Sequence, residues 1–341
     1  MNLQEAMAIY LPLIENGLRR ALASPRPTVA QHHGMMHYHM GWVDEQLEAR
    51  PAAGGKRLRP LLCLLTCQAA GGDALTALPA ATAIEILHNF SLAHDDIEDN
   101  SPTRRSRAAL WTLWGVPQAI NVGDALFAIA HRTLAETLQH GVAAEHVMQL
   151  TQAFDATCVA LTEGQYLDMS FEQRMDVTVD EYVEMIAGKT AALIGLSAQL
   201  GASLAGAPDW MVLHFREFGR HLGLAFQIED DILGIWGDES ATGKSASTDI
   251  LEKKKSLPVV YALGSDAGPD LQAIYRRPAL TAQDIAPVLR LLDAVGALGY
   301  ARRMAEEAHQ SAQAELAATG LGEAALTAVR ELAAMLRGRS S

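Results

Sequence analysis

The stretch ATAIEILHNFSLAHDDIED, residues 81–99, decides the fold of this chain. Its apolar residues recur at helical spacing, and it ends in an acidic cluster that contains Asp95 and Asp99. On a helix these two carboxylates share one face, where they repel each other and oppose the negative end of the helix dipole. A hard cation that joins them removes this cost, and carboxylate oxygens suit Mg²⁺. The stretch therefore predicts a helix that ends in a magnesium site, with a solvated acidic helix end as the alternative.

The helical period extends along nearly the whole chain, and the alternation typical of strands is almost absent. The apolar residues are mainly Ala and Leu, which favour helix over strand. The sequence therefore predicts an all-α protein, with helices over residues 3–23, 56–70, 78–99, 117–138, 144–168, 179–206, 209–235, 281–297, 299–317 and 322–337.

A second acidic cluster lies in GLAFQIEDDILGIWGD, residues 223–238. Asp230 and Asp231 again lie near the end of an apolar helix, so we predict that both bind Mg²⁺. Two carboxylate clusters that face each other across a cleft could hold several ions. They would bind a diphosphate and stabilise it as a leaving group.

Basic residues alternate with the acidic clusters along the chain. Lys56, Arg57 and Arg59 begin a predicted helix, where backbone N–H groups and cationic side chains favour a phosphate. Further cations flank the two clusters, namely Arg104, Arg105, Lys189, Lys244 and Lys253–Lys255. This arrangement is what a site for two diphosphates requires.

These motifs together resemble the trans-isoprenyl diphosphate synthases, the polyprenyl synthetase family. The resemblance covers about residues 54–263, through GGKRLRP, HNFSLAHDDIED, RR, NVGDALF, EGQYLD, KT, FQIEDD, GK and DILEKKKSLP. It implies a single-domain helical bundle of the isoprenoid synthase type around a deep central cavity, and a homodimer. The domain would span residues 1–341, with an N-terminal helical segment (1–50), the motif-bearing core (54–263) and C-terminal helices (264–341).

The resemblance also implies a role for individual residues. Asp95 and Asp99 would bind Mg²⁺, and Asp230 would hold a further ion from the opposite wall. Isopentenyl diphosphate would be bound by Lys56, Arg59, His88 and Arg105. The allylic diphosphate would be bound by Arg104, Lys189, Lys244 and Lys254, with Thr190 and Gln227 beside the reacting carbons.

Three positions depart from the pattern of the family. Gly234 stands where the second aspartate motif normally ends in a third Asp. Ser106 replaces a usual Gly, with Ala108-Ala109 in place of a frequent Pro-Thr, and Lys253 replaces another usual Gly. We expect metal binding to survive these changes, and loop geometry and rate to be affected instead.

The expected activity is Mg²⁺-dependent, head-to-tail trans condensation of isopentenyl diphosphate with an allylic diphosphate. Phe90 and Ser91 lie about one turn below Asp95, where Phe90 either stops the growing tail or simply packs in the core. By analogy with the family, an aromatic residue there favours a geranylgeranyl or farnesyl product, of which we prefer geranylgeranyl. One alternative function is a class I terpene cyclase, which needs no second diphosphate pocket. The other is a non-catalytic partner subunit of a prenyl diphosphate synthase.

Composition and termini limit the partners and the compartment. The formal net charge of −13 disfavours a nucleic-acid binder. The N-terminus places Glu5 before its arginines, unlike a signal peptide, and the most apolar stretch, residues 190–207, is interrupted by glycine and polar residues. Three cysteines are too few for a disulfide framework. We therefore expect a cytoplasmic protein without a membrane span.

Overall fold

The computed structural model describes residues 1–50, 55–237 and 247–337 of the chain. The prediction of an all-α fold is confirmed, because strands within these residues are limited to β1 (Thr103–Arg104) and β2 (Arg107–Ala108). None of the described helices has an apolar run long enough to cross a membrane. The helices are α1 (Leu3–Ala21), α2 (Ala30–His39), α3 (Leu58–Ala69), α4 (Ala74–Glu98), α5 (Leu110–Trp114), α6 (Val116–Ala135), α7 (Ala144–Phe171), α8 (Val179–Ile186), α9 (Ala192–Leu204), α10 (Asp209–Trp236), α11 (Thr248–Leu251), α12 (Leu257–Leu263), α13 (Gly268–Tyr275), α14 (Ala282–Ala294), α15 (Ala297–Ala318) and α16 (Glu323–Arg337).

The chain divides into two compact units. Unit 1 comprises Met1–Ala156, Leu196–Phe215 and Leu321–Leu332. Unit 2 comprises Thr157–Gly195, Arg216–Gly320 and Ala333–Ser341. The first acidic cluster belongs to unit 1 and the second to unit 2. That the chain is a single domain stays a prediction.

Unit 1 is organised around α4, which packs against α1, α3 and α6. The helix begins at the N-cap Asp73, whose side chain accepts a hydrogen bond from the backbone N–H of Leu75 at 2.9 Å. Most of its length is apolar on every side and buried, as expected for a helix enclosed by neighbours. In α6 a Cβ on Gly123 would lie 2.1 Å from Nε2 of His94, so the end of α4 approaches α6 where only glycine fits. This packing fixes the position of the first acidic cluster.

Unit 2 is built on a hydrophobic core that α8, α10, α12 and α15 share. Helix α8 begins with a capping box, in which Thr178 and Glu181 bond reciprocally to each other's backbone N–H. Tyr182, on the first turn of α8, is buried in the core. The core therefore holds α8 against α10, which carries the second acidic cluster. Its other buried side chains include Met185, Ile186, Leu224, Ile228, Ile232, Leu257, Val260, Ala301 and Ala305.

A π-helical turn over Ala187–Ala191 separates α8 from α9, where the sequence predicted one continuous helix from 179 to 206. The turn lies directly against the backbone of α7. A Cβ on Gly188 would lie 2.6 Å from the carbonyl oxygen of Ala160, and a Cβ on Gly164 would lie 2.2 Å from the backbone nitrogen of Lys189. Gly164 and Gly188 thus allow the backbone of α7 to contact that of the π-helical turn. The hydrophobic periodicity of the sequence does not predict this contact.

Other boundaries differ from the prediction for local reasons. Helix α4 begins at Ala74 rather than at residue 78, because Pro79 lies inside the helix and not at its first position. Helix α2, AQHHGMMHYH, was not predicted because it has almost no amphipathic pattern. Helices α12 and α13, of 7 and 8 residues, are too short for a periodic signal.

Candidate diphosphate and metal site

The first acidic cluster divides into outward and inward carboxylates. Asp95 is half-buried and Asp99, the C-cap of α4, is exposed, whereas Asp96 is only 1% exposed. Oδ1 of Asp96 accepts a hydrogen bond from Nε of Arg104 at 2.8 Å and forms an ion pair with Nη2 of the same residue at 2.6 Å. Burial raises the pKa of Asp96, and the contact with Arg104 opposes that rise. Asp96 therefore holds an arginine, while Asp95 and Asp99 lie on the accessible side.

Arg104 and Arg105 lie on the small hairpin of β1 and β2. The two loop residues Arg105 and Ser106 have φ angles of 53° and 59°, so both are left-handed, as in a type I′ turn. Glycine, the residue that the family pattern led us to expect at position 106, would adopt this conformation without steric cost. The hairpin keeps its register with serine, because Thr103 pairs with Ala108.

Two of the residues predicted to bind isopentenyl diphosphate, Arg59 and His88, lie at the start of α3 and on α4. Nη1 of Arg59 lies 3.2 Å from Nε2 of His88. Burial lowers the pKa of His88 well below its usual value, and Arg59 and Arg105 lower it further. His88 is therefore neutral, and its Nε2 accepts a hydrogen bond from the Arg59 guanidinium, because a guanidinium can only donate. Lys56 is exposed and lies just before α3, three residues ahead of Arg59.

Arg57, in the same GGKRLRP motif, has a structural contact that the sequence did not reveal. Its side chain is buried and donates to Glu85 at 2.7 Å, with Glu15 at 3.5 Å. Its φ angle of 50° forms the left-handed N-cap of α3. Arg57 thus anchors the beginning of α3 to α4 and α1, and so fixes its neighbours Lys56 and Arg59.

Phe90 and Ser91 lie on α4 below the first cluster, as predicted. The Phe90 ring is half-buried, with its centroid 5.0 Å from those of Phe127 and His94. The hydroxyl of Ser91 donates to the carbonyl oxygen of His88 at 2.9 Å. An aromatic pair at this depth fits both a limit on tail length and ordinary core packing, so both interpretations of Phe90 remain.

The second acidic cluster shows the same division as the first. Asp230 is exposed, whereas Asp231 is fully buried. Oδ2 of Asp231 accepts from the Tyr182 hydroxyl and from the Leu257 backbone N–H at 2.9 Å. Oδ1 accepts from Gln227 and Lys254, both at 3.2 Å. The sequence predicted Asp231 as a metal ligand, but the structure uses its two oxygens for four internal donors.

Three further predicted residues are brought together in unit 2, next to the π-helical turn. Lys189 forms an ion pair with Asp168 at 2.5 Å. The Thr190 hydroxyl donates to Oε1 of Gln227 at 2.8 Å, which links the turn to α10. Lys244 lies outside the described residues.

Asp249 is a site residue that the sequence analysis missed. Its carboxylate lies 3.5 Å from Nζ of Lys254. A Cβ on Gly234 would lie 2.3 Å from Oδ2 of Asp249, so the Asp249 carboxylate fills the space beside the glycine. Burial opposes the charge of Lys254, but Asp231, Asp249 and Asp230 raise its pKa well above the usual value. The sequence could have indicated Asp249, because it is the first residue of DILEKKKSLP and lies between Lys244 and Lys254, two lysines assigned to the allylic diphosphate.

Restoring the usual aspartate at position 234 should not improve this protein. We expect Gly234→Asp to lower Tm by about 1–4 °C without raising kcat, because the new side chain displaces Asp249 and overpacking costs about 1–3 kcal/mol. Differential scanning fluorimetry and steady-state kinetics measure both effects. The double variant Gly234→Asp/Asp249→Ala should recover stability. A more active Gly234→Asp protein would contradict this interpretation.

The exposed and half-buried aspartates have the donor chemistry that Mg²⁺ requires. No group of three His, Cys, Asp or Glu side chains in the described ranges is arranged to hold an ion by itself. Mg²⁺ usually binds through one or two carboxylates and completes its coordination with water and substrate phosphates. Asp95 and Asp99 in unit 1, and separately Asp230 in unit 2, therefore fit ions that arrive together with a diphosphate.

An all-helical fold with two aspartate clusters, each next to cationic side chains, defines a class of proteins suited to binding diphosphates with Mg²⁺. The family model of the polyprenyl synthetases matches residues 40–292 of the chain. The chain belongs to the polyprenyl synthetase family.

Individual relatives are similar over most of their length. A geranylgeranyl diphosphate synthase of Mycobacterium tuberculosis is 41% identical over 302 residues, which cover 88% of this chain and 84% of the relative. The crystal structure of a polyprenyl synthetase from Streptomyces coelicolor has a TM-score of 0.88 at 34% identity and covers 98% of both chains. A geranylgeranyl pyrophosphate synthase from Corynebacterium glutamicum, solved with isoprenyl diphosphate and magnesium, has a TM-score of 0.83 at 25% identity. This alignment covers 99% of the present chain and 100% of the Corynebacterium chain.

Proposed function

We propose that this protein is a Mg²⁺-dependent prenyltransferase that condenses isopentenyl diphosphate with an allylic diphosphate to a short-chain prenyl diphosphate. The observation that carries the proposal is the cationic set of Arg59, Arg105 and Lys56, which unit 1 holds in addition to its aspartate cluster. A reaction with one diphosphate, such as terpene cyclisation, has no use for that second set. Membership of the family and the names of the similar proteins support the same activity.

The binding roles follow from charge and accessibility. We assign Mg²⁺ to the solvent-accessible carboxylates Asp95, Asp99 and Asp230, and the allylic diphosphate to the cations Lys189 and Lys254. Lys189 pairs with Asp168, and Lys254 pairs with Asp231. A bound diphosphate would therefore replace each aspartate as the partner of its lysine, or share the lysine with it. We assign isopentenyl diphosphate to Lys56, Arg59, His88 and Arg105. Arg104 and Lys244 complete the allylic set.

In the proposed reaction, diphosphate must leave the allylic substrate, and the allylic carbocation that forms must persist until isopentenyl diphosphate attacks it. When bound, Mg²⁺ supplies positive charge that stabilises the departing diphosphate. The cations of this chain stabilise the same developing charge, and hydrogen bonds to them strengthen in a site that excludes water. The double bond of isopentenyl diphosphate then attacks the allylic cation, and the released diphosphate accepts the proton that is lost. We assign Thr190 and Gln227, which are hydrogen-bonded to each other, to positions beside the cation, where their oxygen atoms would face it.

The product is proposed to be geranylgeranyl diphosphate, with Phe90 as the limit on tail length. Phe90→Ala should shift products to longer chains, because it removes the ring that now contacts Phe127 at a centroid distance of 5.0 Å. Mass analysis of the extracted diphosphates measures the shift. Phe90→Tyr keeps a ring of the same width and should leave the distribution unchanged. An unaltered distribution for Phe90→Ala would show that this residue only packs in the core.

Consumption of isopentenyl diphosphate tests the proposed activity. Purified protein is incubated with Mg²⁺, isopentenyl diphosphate and each allylic diphosphate in turn, and products are identified by mass. An elongated diphosphate supports the synthase. A hydrocarbon without consumption of isopentenyl diphosphate would indicate the cyclase, and no product at all would indicate the non-catalytic partner subunit. The same sample, analysed by sedimentation, tests the proposed homodimer.

A further inference from the structure

The second aspartate of the second cluster is the centre of a buried hydrogen-bond network. Asp231 has no exposed surface, and each of its oxygens accepts from two donors. A buried carboxylate is costly unless paired and fully hydrogen-bonded. Here the cost is offset by one cation, Lys254, and by three neutral donors from α8, α10 and the start of α12. Asp231 therefore joins three elements of unit 2.

Two of the donors to Asp231 are residues that the proposed reaction uses. Lys254 donates to Oδ1 at 3.2 Å, and the amide of Gln227 donates to the same atom at the same distance. Gln227 in turn accepts from Thr190 at 2.8 Å. A single carboxylate oxygen thus fixes the direction of an ammonium group and the orientation of an amide. The position of that oxygen decides where both functional groups lie.

Tyr182 determines the position of this carboxylate from the other side. Its ring is 1% exposed in the core of unit 2, and its hydroxyl donates to Oδ2. Burial and the charge of Asp231 raise the pKa of Tyr182 well above its usual value, so the hydroxyl stays a donor. Leu257, at the first position of α12, supplies the second donor to Oδ2. Neither Tyr182 nor Leu257 was a candidate from the sequence.

Unit 1 contains a smaller arrangement of the same kind. Asp96, the second aspartate of its cluster, is buried, and its Oδ1 accepts one hydrogen bond from Arg104 and forms an ion pair with it. Arg104 is another residue assigned to the allylic diphosphate. In both clusters the accessible aspartate precedes a buried one that holds a cation. In each unit, a buried aspartate thus holds the side chain of a cation that we assign to the allylic diphosphate.

We propose that Tyr182 and Asp231 are positioning residues, which fix Lys254 and Gln227 for the allylic diphosphate instead of binding Mg²⁺. This inference rests on the proposed function. Tyr182 acts through Asp231, and Asp231 acts through Lys254. Loss of the Tyr182 hydroxyl therefore weakens binding of the allylic diphosphate. The coordination of Mg²⁺ is left to the accessible Asp230.

The test compares Tyr182→Phe with Tyr275→Phe as a matched control. Tyr275 is also buried in unit 2, but its hydroxyl has no hydrogen-bond partner in the described residues. We expect Tyr182→Phe to raise the KM for the allylic diphosphate roughly tenfold, as for a lost hydrogen bond to a charged group. The KM for isopentenyl diphosphate and the Mg²⁺ concentration for half-maximal rate should change less than twofold. Tyr275→Phe should change none of these values.

A double-mutant cycle with Lys254→Met separates positioning from a merely structural role. If Tyr182 acts through Lys254, Tyr182→Phe should have little further effect on the allylic KM in the Lys254→Met background. Equal effects in both backgrounds would overturn the proposal. So would an unchanged allylic KM in Tyr182→Phe. The isosteric Asp231→Asn should show the same dependence on Lys254, which keeps the test decisive if Tyr182→Phe folds poorly.

Metal and diphosphate binding are measured separately from turnover. Mn²⁺ titration followed by electron paramagnetic resonance, with inorganic diphosphate present, should show weaker metal binding for Asp230→Asn and unchanged binding for Asp231→Asn. Weakened Mn²⁺ binding in Asp231→Asn would overturn the proposal. Calorimetric binding of inorganic diphosphate with Mg²⁺ should be weaker in Tyr182→Phe than in Tyr275→Phe. Because this readout needs no turnover, it tests the positioning role even if the proposed condensation activity is absent.

Discussion

Replacing Asp95 by Ala should lower kcat by about 10³-fold or more, with the fold and stability retained. A metal ion that neutralises charge in a transition state contributes several kcal/mol, and each 1.36 kcal/mol corresponds to a factor of ten in rate. Asp95 lies on the accessible side of α4, so its removal relieves repulsion with Asp99 and should not destabilise the helix. Steady-state kinetics over a range of Mg²⁺ concentrations, together with a thermal melt, measures both effects.

The control for Asp95→Ala is Glu98→Ala in the last turn of the same helix. Glu98 is exposed and is not one of the proposed ligands, so this variant should retain kcat within a few-fold. A high concentration of Mg²⁺ should not restore Asp95→Ala, because a missing ligand changes the geometry of the ion as well as its affinity. If Asp95→Ala turned over at a near-normal rate, the assignment of the first metal site would be lost.

Gly164→Ala should damage both stability and catalysis, although Gly164 carries no functional group. Its new Cβ would lie 2.2 Å from the backbone nitrogen of Lys189 and 2.8 Å from the carbonyl carbon of Gly188. Backbone atoms cannot move aside as a flexible side chain can, so the π-helical turn itself must shift. Overpacking of this kind costs about 1–3 kcal/mol or more, equivalent to a fall in Tm of about 1–4 °C or more. The shift also displaces Lys189 and Thr190, so we expect kcat to fall at least tenfold.

Gly299→Ala is the matched control for Gly164→Ala, because it places the same methyl group on another helix of unit 2. The nearest heavy atom to its Cβ, Nη1 of Arg303, would be 3.7 Å away. Alanine is favoured over glycine inside a helix by about 1 kcal/mol, so this variant should be as stable as the parent or slightly more stable. Normal kcat in Gly164→Ala, despite a lower Tm, would show that the π-helical turn does not position Lys189 and Thr190 for catalysis.

The candidate site could be predicted from the sequence where its signal is local. Asp95 and Asp99 are four residues apart on an apolar helix, and this spacing alone places them on one face. The clustering of cations around two acidic motifs is likewise visible in the order of residues. The resemblance to a family then supplied a role for each position. Those roles remain predictions, whereas the all-α fold and the membership of the family are confirmed.

Two departures from the family pattern acquired a reason only in the structure. Ser106 and Lys253 both occupy positions with positive φ, 59° and 55°, where glycine is the residue without steric cost. The family pattern expected from the sequence has glycine at both positions, and this chain adopts the left-handed conformation with side chains that tolerate it less well. Gly234 shows the reverse case, because the carboxylate of Asp249 fills the space that a side chain there would need.

The sequence by itself determined the helical fold, the two acidic motifs and the kind of ligand they suit. These properties depend on residue type and on spacing within a few turns, which helical geometry converts directly into shared faces. The tertiary structure decided which carboxylates are available, because burial and partners come from residues far along the chain. Asp231 bonds to Tyr182, which is 49 residues away, and Asp96 turns inward to Arg104. Two aspartates adjacent in sequence thus acquire different roles, since successive residues on a helix point in directions about 100° apart and only one can face the interior.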